Sequence, residues 1–531
     1  MPNDCVTYQN SGYFSKLIVD YLDEKSELQS LYNRFPKIEN FLEQIEEKGK
    51  NFPFENRQIL VSALEKQLEN FEISESTSQN IQLLKLSNTY TITTGHQLNL
   101  FTGPLYFLYK ITSTINLCKE LRQKYPTQNF VPIYWMATED HDFDEINYFN
   151  FKDKKFRWNR ESNGPVGRFS TEGLDLVYEA FSKEIGLGNN AKYLLDLFKK
   201  SYLEHQHLAD ATRFLANELF KNEGLVIIDG DAKELKKLFV PYAKNELIQQ
   251  TSFKKVNETL PLLEKYTIQV NPREINLFYI QNELRERIIF ENGNYVINNT
   301  KLKFTEKELL IELENNPENF SPNVILRPLY QEIILPNLCY IGGGGEIAYW
   351  LELKSNFEAN YITFPMLLVR NSVLLVTEKQ ASKLDKLNLT WNEIFMAQQL
   401  LSDKKTKDFS AFTIDFSDQK TILKKQFEAL HEIALQTDKS FTGAVKAQEK
   451  KQLKGLENLE KRLLKAERKN HASKLERIFE IQNELFPNKS LQERTQNFSS
   501  FVSEVDDYEY FVRKILIQLK PLEQNFTQII L

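Results

Sequence analysis

The chain has 531 residues, 41% of them hydrophobic and 26% charged, with a formal net charge of −6. That length exceeds one ordinary core, and the composition excludes wholesale disorder, so a large α/β domain with insertions and at least one appendage is expected. The acidic balance excludes a bulk nucleic-acid binder, and three scattered cysteines (Cys5, Cys118, Cys339) exclude a disulfide framework. No apolar run reaches the length of a membrane span and the first residues are too polar for a signal peptide, so a cytoplasmic protein is expected.

Residues 11–86 read as helices, with Tyr13, Phe14, Leu17, Ile18, Tyr21 and Leu22 at helical spacing and a second stripe through Ile59, Leu60, Ala63, Leu64 and Leu68. A sheet begins in the stretch 89–147. There, β-branched and aromatic runs at 90–94 and 130–137 flank an apolar-periodic helix of about 103–124. This is a βαβ unit, because parallel strands need a crossover of helical length. Gly95, His96, Gln97 and Asn99 follow the first strand, and Thr102, Gly103 and Pro104 suit a helix start. The second strand runs into Glu139, Asp140, His141, Asp142, Asp144 and Glu145.

Open parallel sheets bind ligands beyond the carboxyl ends of their strands, and both polar clusters fall on that edge. The acidic cluster also reads as a solvated loop entering a helix, or as a hard-ligand set suited to Mg²⁺. Zinc is not indicated, since no Cys or His pair has the required spacing.

From 148 to 170 the aromatics Phe149, Phe151, Phe156 and Trp158 predict a short strand pair, followed by helices at 171–222. Gly224–Gly230 is a further buried strand, with Asp229 and Asp231 at its end, and a helix follows at 232–248. A second insertion, 265–320, contains Asn292-Gly293, a type I′ hairpin turn. The main sheet is expected to return at Val324–Leu326, delivering Arg327, Gln331 and Glu332, and again at Leu338–Ile341. That strand opens into Gly342, Gly343, Gly344 and Gly345 before a helix beginning near Glu346. Four glycines here let backbone N–H groups approach an anion, or make a tight turn; the pattern is neither G-x-G-x-x-G nor a Walker loop. Tyr361–Arg370 is the last predicted sheet strand.

Beyond about 375 long charged helices take over. Leu453, Leu456, Leu459, Leu463, Ala466, Leu475, Ile478 and Leu485 form the seam of an imperfect coiled coil, with Asn470 on the seam. Ile422–Leu435 is expected to pair antiparallel with it across a hinge near Thr437–Gly443. Lys446–Arg477 holds eleven Lys/Arg against five Glu, better suited to the outer face of a homodimeric coiled coil than to a nucleic-acid surface. A helix at about 503–527 closes the chain. The expected organisation is therefore a core at 1–375 interrupted by 148–222 and 265–320, a helical domain at 376–490, and a returning segment at 491–531.

Gathered at the strand ends, these groups can hold a cationic amine against carboxylates and a phosphate or carboxylate against Arg327 and glycine N–H groups. No G-x-S-x-G elbow, cysteine motif or nicotinamide fingerprint is present. The segments TTGHQLNLFTGPLYFLYK, VPIYWMATEDHDFDEIN, NVILRPLYQEIILPNLCYIGGGGEIAYWLELK and LQER closely resemble the signature blocks of the bacillithiol biosynthesis family associated with cysteine addition.

The resemblance implies a Rossmann-like core similar to class I synthetases, two connecting-peptide insertions and a coiled-coil domain supporting a dimer. It also implies a ligase joining the carboxyl of L-cysteine to the amine of glucosaminyl-malate, with ATP or another nucleotide as the activator. On this reading Asp140, His141 and Asp142 are catalytic. His96, Gln97, Asn99, Thr102, Glu139, Glu145, Arg327, Gln331, Glu332 and Tyr349 bind substrate, and Gly342, Gly343, Gly344, Gly345 and Glu346 bind the nucleotide. Glu139, Asp142 and Glu145 are alternatively Mg²⁺ ligands. His96 stands where the family usually carries Gln, which favours binding over proton transfer, and Gly344 where Pro often follows the glycines. The competing reading is a synthetase-like RNA-binding or RNA-modifying protein that grips tRNA with its basic coiled coil.

Overall fold

Five strands, β1 (Thr89–His96), β2 (Asn129–Met136), β3 (Val226–Asp229), β4 (Asn337–Gly342) and β5 (Met366–Val369), form an all-parallel sheet in the order β5-β4-β1-β2-β3. Nearly every residue in them is buried, as expected when helices cover both faces. The chain winds outward from β1 through β2 to β3, then returns to the other side of β1 for β4 and β5. The strand order therefore reverses between β1 and β4. Register aligns the strand ends: His96 lies opposite Met136, Met136 opposite Asp229, and Gly342 opposite Val369. Whatever follows those residues emerges on one edge.

This is a computed structural model, and it describes residues 4–502 and 508–531. The sheet belongs to a unit comprising Thr7–Gln9, Tyr13–Thr377 and Ser490–Leu531; a second unit is built on Glu378–Lys489. In the first unit, α1 (Tyr106–Lys124) crosses from β1 to β2 with every residue from Phe107 to Cys118 buried, which is why its apolar residues extend around the whole helix.

The expected strand at Val324–Leu326 does not form. Asn323 Oδ1 accepts the N–H groups of Ile325 and Leu326 at 2.9 and 3.3 Å, and Pro328 sits in the first turn of α2 (Arg327–Ile334). A side-chain cap and an N-terminal proline thus outcompete the β-branched run. The second insertion is a five-stranded antiparallel sheet containing Leu277–Gln281, Leu284–Glu291 and Asn294–Ile297, with Asn292 and Gly293 at φ 50° and 76° in the hairpin turn. The expected closing helix is shorter than anticipated, and residues 503–507 lie outside the described residues. It spans Tyr508–Gln518, and the β-branched tail Thr527–Ile530 pairs in parallel with Val373–Val376.

In the helical unit, Lys420 pairs with Glu460 at 2.5 Å and His431 with Glu449 at 2.9 Å. As one helix (Ser417–Ala434) advances, the other (Lys439–Asn470) recedes by the same number of residues, the register of an antiparallel pair. The turn precedes Lys439 and Asp438 caps it, so Gly443 is helical rather than part of the hinge. No helix among the described residues is long and apolar enough to cross a membrane.

Beneath the sheet, the helix Phe41–Asn51 is pinned by Lys48, whose ammonium meets Glu332 at 2.8 Å with side chains 2% and 0% exposed. Removing one partner of such a pair leaves a buried charge uncompensated. Lys48→Met should therefore destabilise the first unit by about 3–5 kcal/mol, read as a lower urea midpoint.

Candidate functional site

At the edge where the strands end lies a cleft of about 1020 Å³, lined by residues from β1, β2, β4, the second insertion and the segment after Ser490. It opens over the reversal between β1 and β4, where parallel sheets place ligands.

Its floor is cationic. Lys110, 3% exposed on α1, donates to the Gly95 carbonyl and to Glu346 Oε2 at 2.7 Å. Glu346 Oε2 also accepts the Gly343 N–H at 2.9 Å, and Oε1 accepts from Tyr340 at 2.6 Å. Burial alone would raise the Glu346 carboxyl, but the Lys110 charge and these hydrogen bonds hold it below the usual carboxylate range. Arg327 donates to Gln331 Oε1 at 3.0 Å and to the Tyr349 hydroxyl at 3.4 Å, with Trp135 and Tyr340 flanking its guanidinium. Arg370, 4% exposed, pairs with Glu493 at 2.7 Å.

His96 closes one side. Its Nδ1 lies 2.7 Å from the Gln97 carbonyl, its ring stacks on Tyr106, and Nε2 is buried with no partner among the described residues. Burial, then the nearby Lys110 charge, pushes its pKa down to about 3, so the imidazole is neutral and donates from Nδ1.

The opposite side is acidic. Asp140 accepts from Gln97 at 3.0 Å and from the His141 N–H at 2.7 Å, while Gln97 also donates to Glu145 at 3.0 Å. Burial would raise the Asp140 carboxyl, but the hydrogen bonds from His141 and Gln97 outweigh it and hold it well below its ordinary value. Asp142 moves the other way: burial and then the adjacent Asp140 charge raise it. His141 Nδ1 is 2.7 Å from Arg285 Nη1 and farther, 3.6 and 3.9 Å, from Asp140 and Asp142. A guanidinium cannot accept, so His141 Nδ1 receives that bond.

Most residues expected at the site line this cleft, including Asp140, His141, Asp142, His96, Gln97, Asn99, Glu139, Glu145, Arg327 and Tyr349. Four do not. Thr102 adopts φ 68° before the helix starts, and its hydroxyl lies 3.5 Å from Asn497 Nδ2. Gln331 and Glu332 are fully buried behind Arg327, in a chain running from Arg327 through Gln331 to Glu332 and Lys48. Gly342 ends β4 beneath the surface, where a Cβ would lie 2.9 Å from that of Glu346.

Within the glycine run the Gly343 N–H is taken by Glu346, while Gly343, Gly344 and Gly345 line the cleft. Glu139, Asp142 and Glu145 are not gathered as a cation site: Glu139 is held by buried Lys236, and the three donors that cluster are Asp140, His141 and Asp142. Sequence reasoning missed Lys110, Arg370, Arg273, Arg285, Arg287 and Arg494, which also line the cleft. Lys110 carried a readable signal, as a lone charge inside the apolar run FLYKIT.

Family models for the two parts of "Bacillithiol biosynthesis BshC" match in sequence order. The N-terminal Rossmann-like domain covers residues 1–371 and the C-terminal coiled-coil domain residues 373–531. The chain belongs to the BshC family of bacillithiol biosynthesis. It is 66% identical over 527 residues to a protein of Flavobacterium johnsoniae and 65% identical over 528 to one of Flavobacterium psychrophilum, in each case covering 99% of both chains. It is also 56% identical over 532 residues to one of Christiangramia forsetii, covering 99% and 98%. All three relatives bear the name "Putative cysteine ligase BshC". As a ligase of the BshC family, this chain has a cationic floor and an acidic wall facing one cleft.

The buried imidazole makes stability depend on pH. His96 binds a proton in the unfolded chain below about pH 6.5 but stays neutral when folded until about pH 3, so its contribution is present above 6.5 and lost as pH falls through that window. The urea midpoint of the native chain should therefore drop more steeply from pH 6.5 toward 4 than that of His96→Gln. Parallel curves would contradict a buried neutral ring.

Proposed function

We propose that this ligase forms the amide between the carboxyl of L-cysteine and the amine of glucosaminyl-malate, after a nucleotide activates the carboxyl. The observation carrying this reading is that the cations Lys110, Arg327 and Arg370 and the carboxylates Asp140, Asp142 and Glu145 line one cleft. An amine and a carboxylate do not condense unaided, because the carboxylate is a poor electrophile and the ammonium has no free lone pair. Each problem has a matching set of residues.

A phosphoryl or adenylyl group transferred from ATP would make the cysteine carboxyl an acyl donor. The cationic floor is suited to the negative charge on the transferring and departing phosphoryl oxygens. On the acidic side the two aspartates are driven apart in basicity. Asp140, held low by hydrogen bonds, remains an anion that fixes the ammonium, whereas Asp142, raised by burial and by Asp140, is the better proton acceptor. Proton loss from the amine to Asp142 exposes the lone pair that attacks the activated carboxyl. His141, whose Nδ1 is taken by Arg285 and whose backbone N–H holds Asp140, positions the acidic loop rather than taking the proton itself.

The RNA-binding alternative has no observation of comparable weight behind it; in the basic strip Lys454 pairs with Glu457 at 3.3 Å and Arg468 with Asp403. Exposed Ile422, Ile433 and Leu459 favour a second copy of the helical unit as its partner.

Incubating the purified chain with cysteine, glucosaminyl-malate and ATP, and following thiol product and nucleotide by mass spectrometry, tests the reaction. Asp142→Asn should lower turnover by about 10²–10⁴-fold with an unchanged melting temperature. In the native chain the rate should rise with pH as Asp142 loses its proton. Native output from the variant would remove Asp142 as the base, and absence of product from the native chain would remove the reaction.

A further inference from the structure

The second insertion contributes three arginines to the cleft, Arg273 from a loop and Arg285 and Arg287 from one strand, and the amide-forming chemistry above uses none of them as a ligand. Residues two apart share a strand face, with Cα atoms about 7 Å apart. Arg285 is built in place: its guanidinium lies 3.9 Å from the Phe278 ring centroid and its Nη1 donates to His141 at 2.7 Å. Its Nε is buried and finds no acceptor among the described residues, so a donor remains for something else. Phe278 also faces Arg287 across the strand pair. Arg285 and Arg287 therefore share a strand face that reaches the Asp140–Asp142 loop through the Arg285–His141 bond, and Arg273 lines the same cleft.

We infer that Arg273, Arg285 and Arg287 form a dicarboxylate subsite that takes the malate end of the amine substrate. This rests on the proposed reaction, and the chemistry of that substrate supplies the geometric argument. A glucosaminyl glycoside carries its amine on the ring carbon next to the one bearing the aglycone. The ammonium and the malate carboxylates are therefore close neighbours, and a site for one must adjoin a site for the other. The arginines adjoin the acidic wall; the floor cations lie at the strand reversal, where the activated carboxyl is expected. Guanidinium forks match carboxylates in a bidentate fashion, and two on one strand face suit a four-carbon diacid. The insertion thus acts as the specificity element, reading the aglycone while the core performs the chemistry.

Calorimetric titration of the full chain with glucosaminyl-malate and with methyl glucosaminide, which keeps the amine but lacks the diacid, tests this. The native chain should bind the malate compound at least tenfold more tightly. Arg287→Gln should bind the two within about threefold of each other, with an unchanged melting temperature, and Arg273→Gln, on an exposed loop where folding is not at risk, should shift in the same direction. A native preference retained in full by both variants overturns the subsite while leaving the reaction standing. Failure of the native chain to bind glucosaminyl-malate overturns both.

Discussion

A buried ammonium on α1 is the constraint around which the cleft is built. Placing Lys110 inside a helix otherwise surrounded by apolar residues costs several kcal/mol unless the charge is matched, and the matches are the Gly95 carbonyl at the end of β1 and the Glu346 carboxylate just beyond β4. Those two strands flank the point where the sheet order reverses. One side chain therefore ties together both lips of the cleft, and Glu346 passes the restraint to Tyr340 and Gly343. The floor is fixed before any ligand arrives, which is the condition for electrostatic stabilisation without reorganisation.

The acidic wall follows a different logic. Asp140 and Asp142 have the same chemistry two residues apart, yet Asp140 faces Gln97 and the His141 N–H while Asp142 faces Asp140's negative charge. Hydrogen bonding and burial thus shift two aspartates of one short loop in opposite directions. That loop is itself shaped by the first insertion, where the N–H groups of Val166 and Gly167 bond to the carbonyls of Asp140 and Thr138 at 2.7 and 2.8 Å. Both insertions thus bear on the cleft, one by shaping the loop backbone and one by contributing Arg285.

Much of this was legible in the amino-acid order. Parallel strands announced themselves as apolar runs, and each strand's polar successor had to surface on the same edge, so His96, Gln97 and Asp140 could be gathered from the sequence, whereas Arg327 was assigned there through a strand that does not form. What escaped was direction. Gln331 and Glu332 follow Arg327 closely, but α2 turns them into the interior, where they brace the guanidinium instead of meeting a ligand. In the tetraglycine run Glu346 folds back onto Gly343 as the third helical residue bonding to the cap, a local pattern that the glycines drew attention away from. Arg285 and Arg287 sit more than 140 residues from the aspartates they adjoin, and only the return of the second insertion brings them there. The Val324–Leu326 run looked like a strand because its cap, Asn323, acts through a side chain.

The loop after β1 holds three consecutive residues, Phe101, Thr102 and Gly103, at positive φ, a conformation that is costly for the first two. Tyr202 supports the Phe101 N–H, and Asn497 supports the carbonyls of Phe101 and Gly103 at 2.7 and 2.6 Å. Four residues earlier, Glu493 anchors Arg370, and Arg494 and Thr495 border the cleft. During synthesis these props leave the ribosome only after some 490 residues have emerged. The last stretch to be made thus supplies both core residues of the first unit and the border of its cleft, so neither is complete until the whole chain has been synthesised.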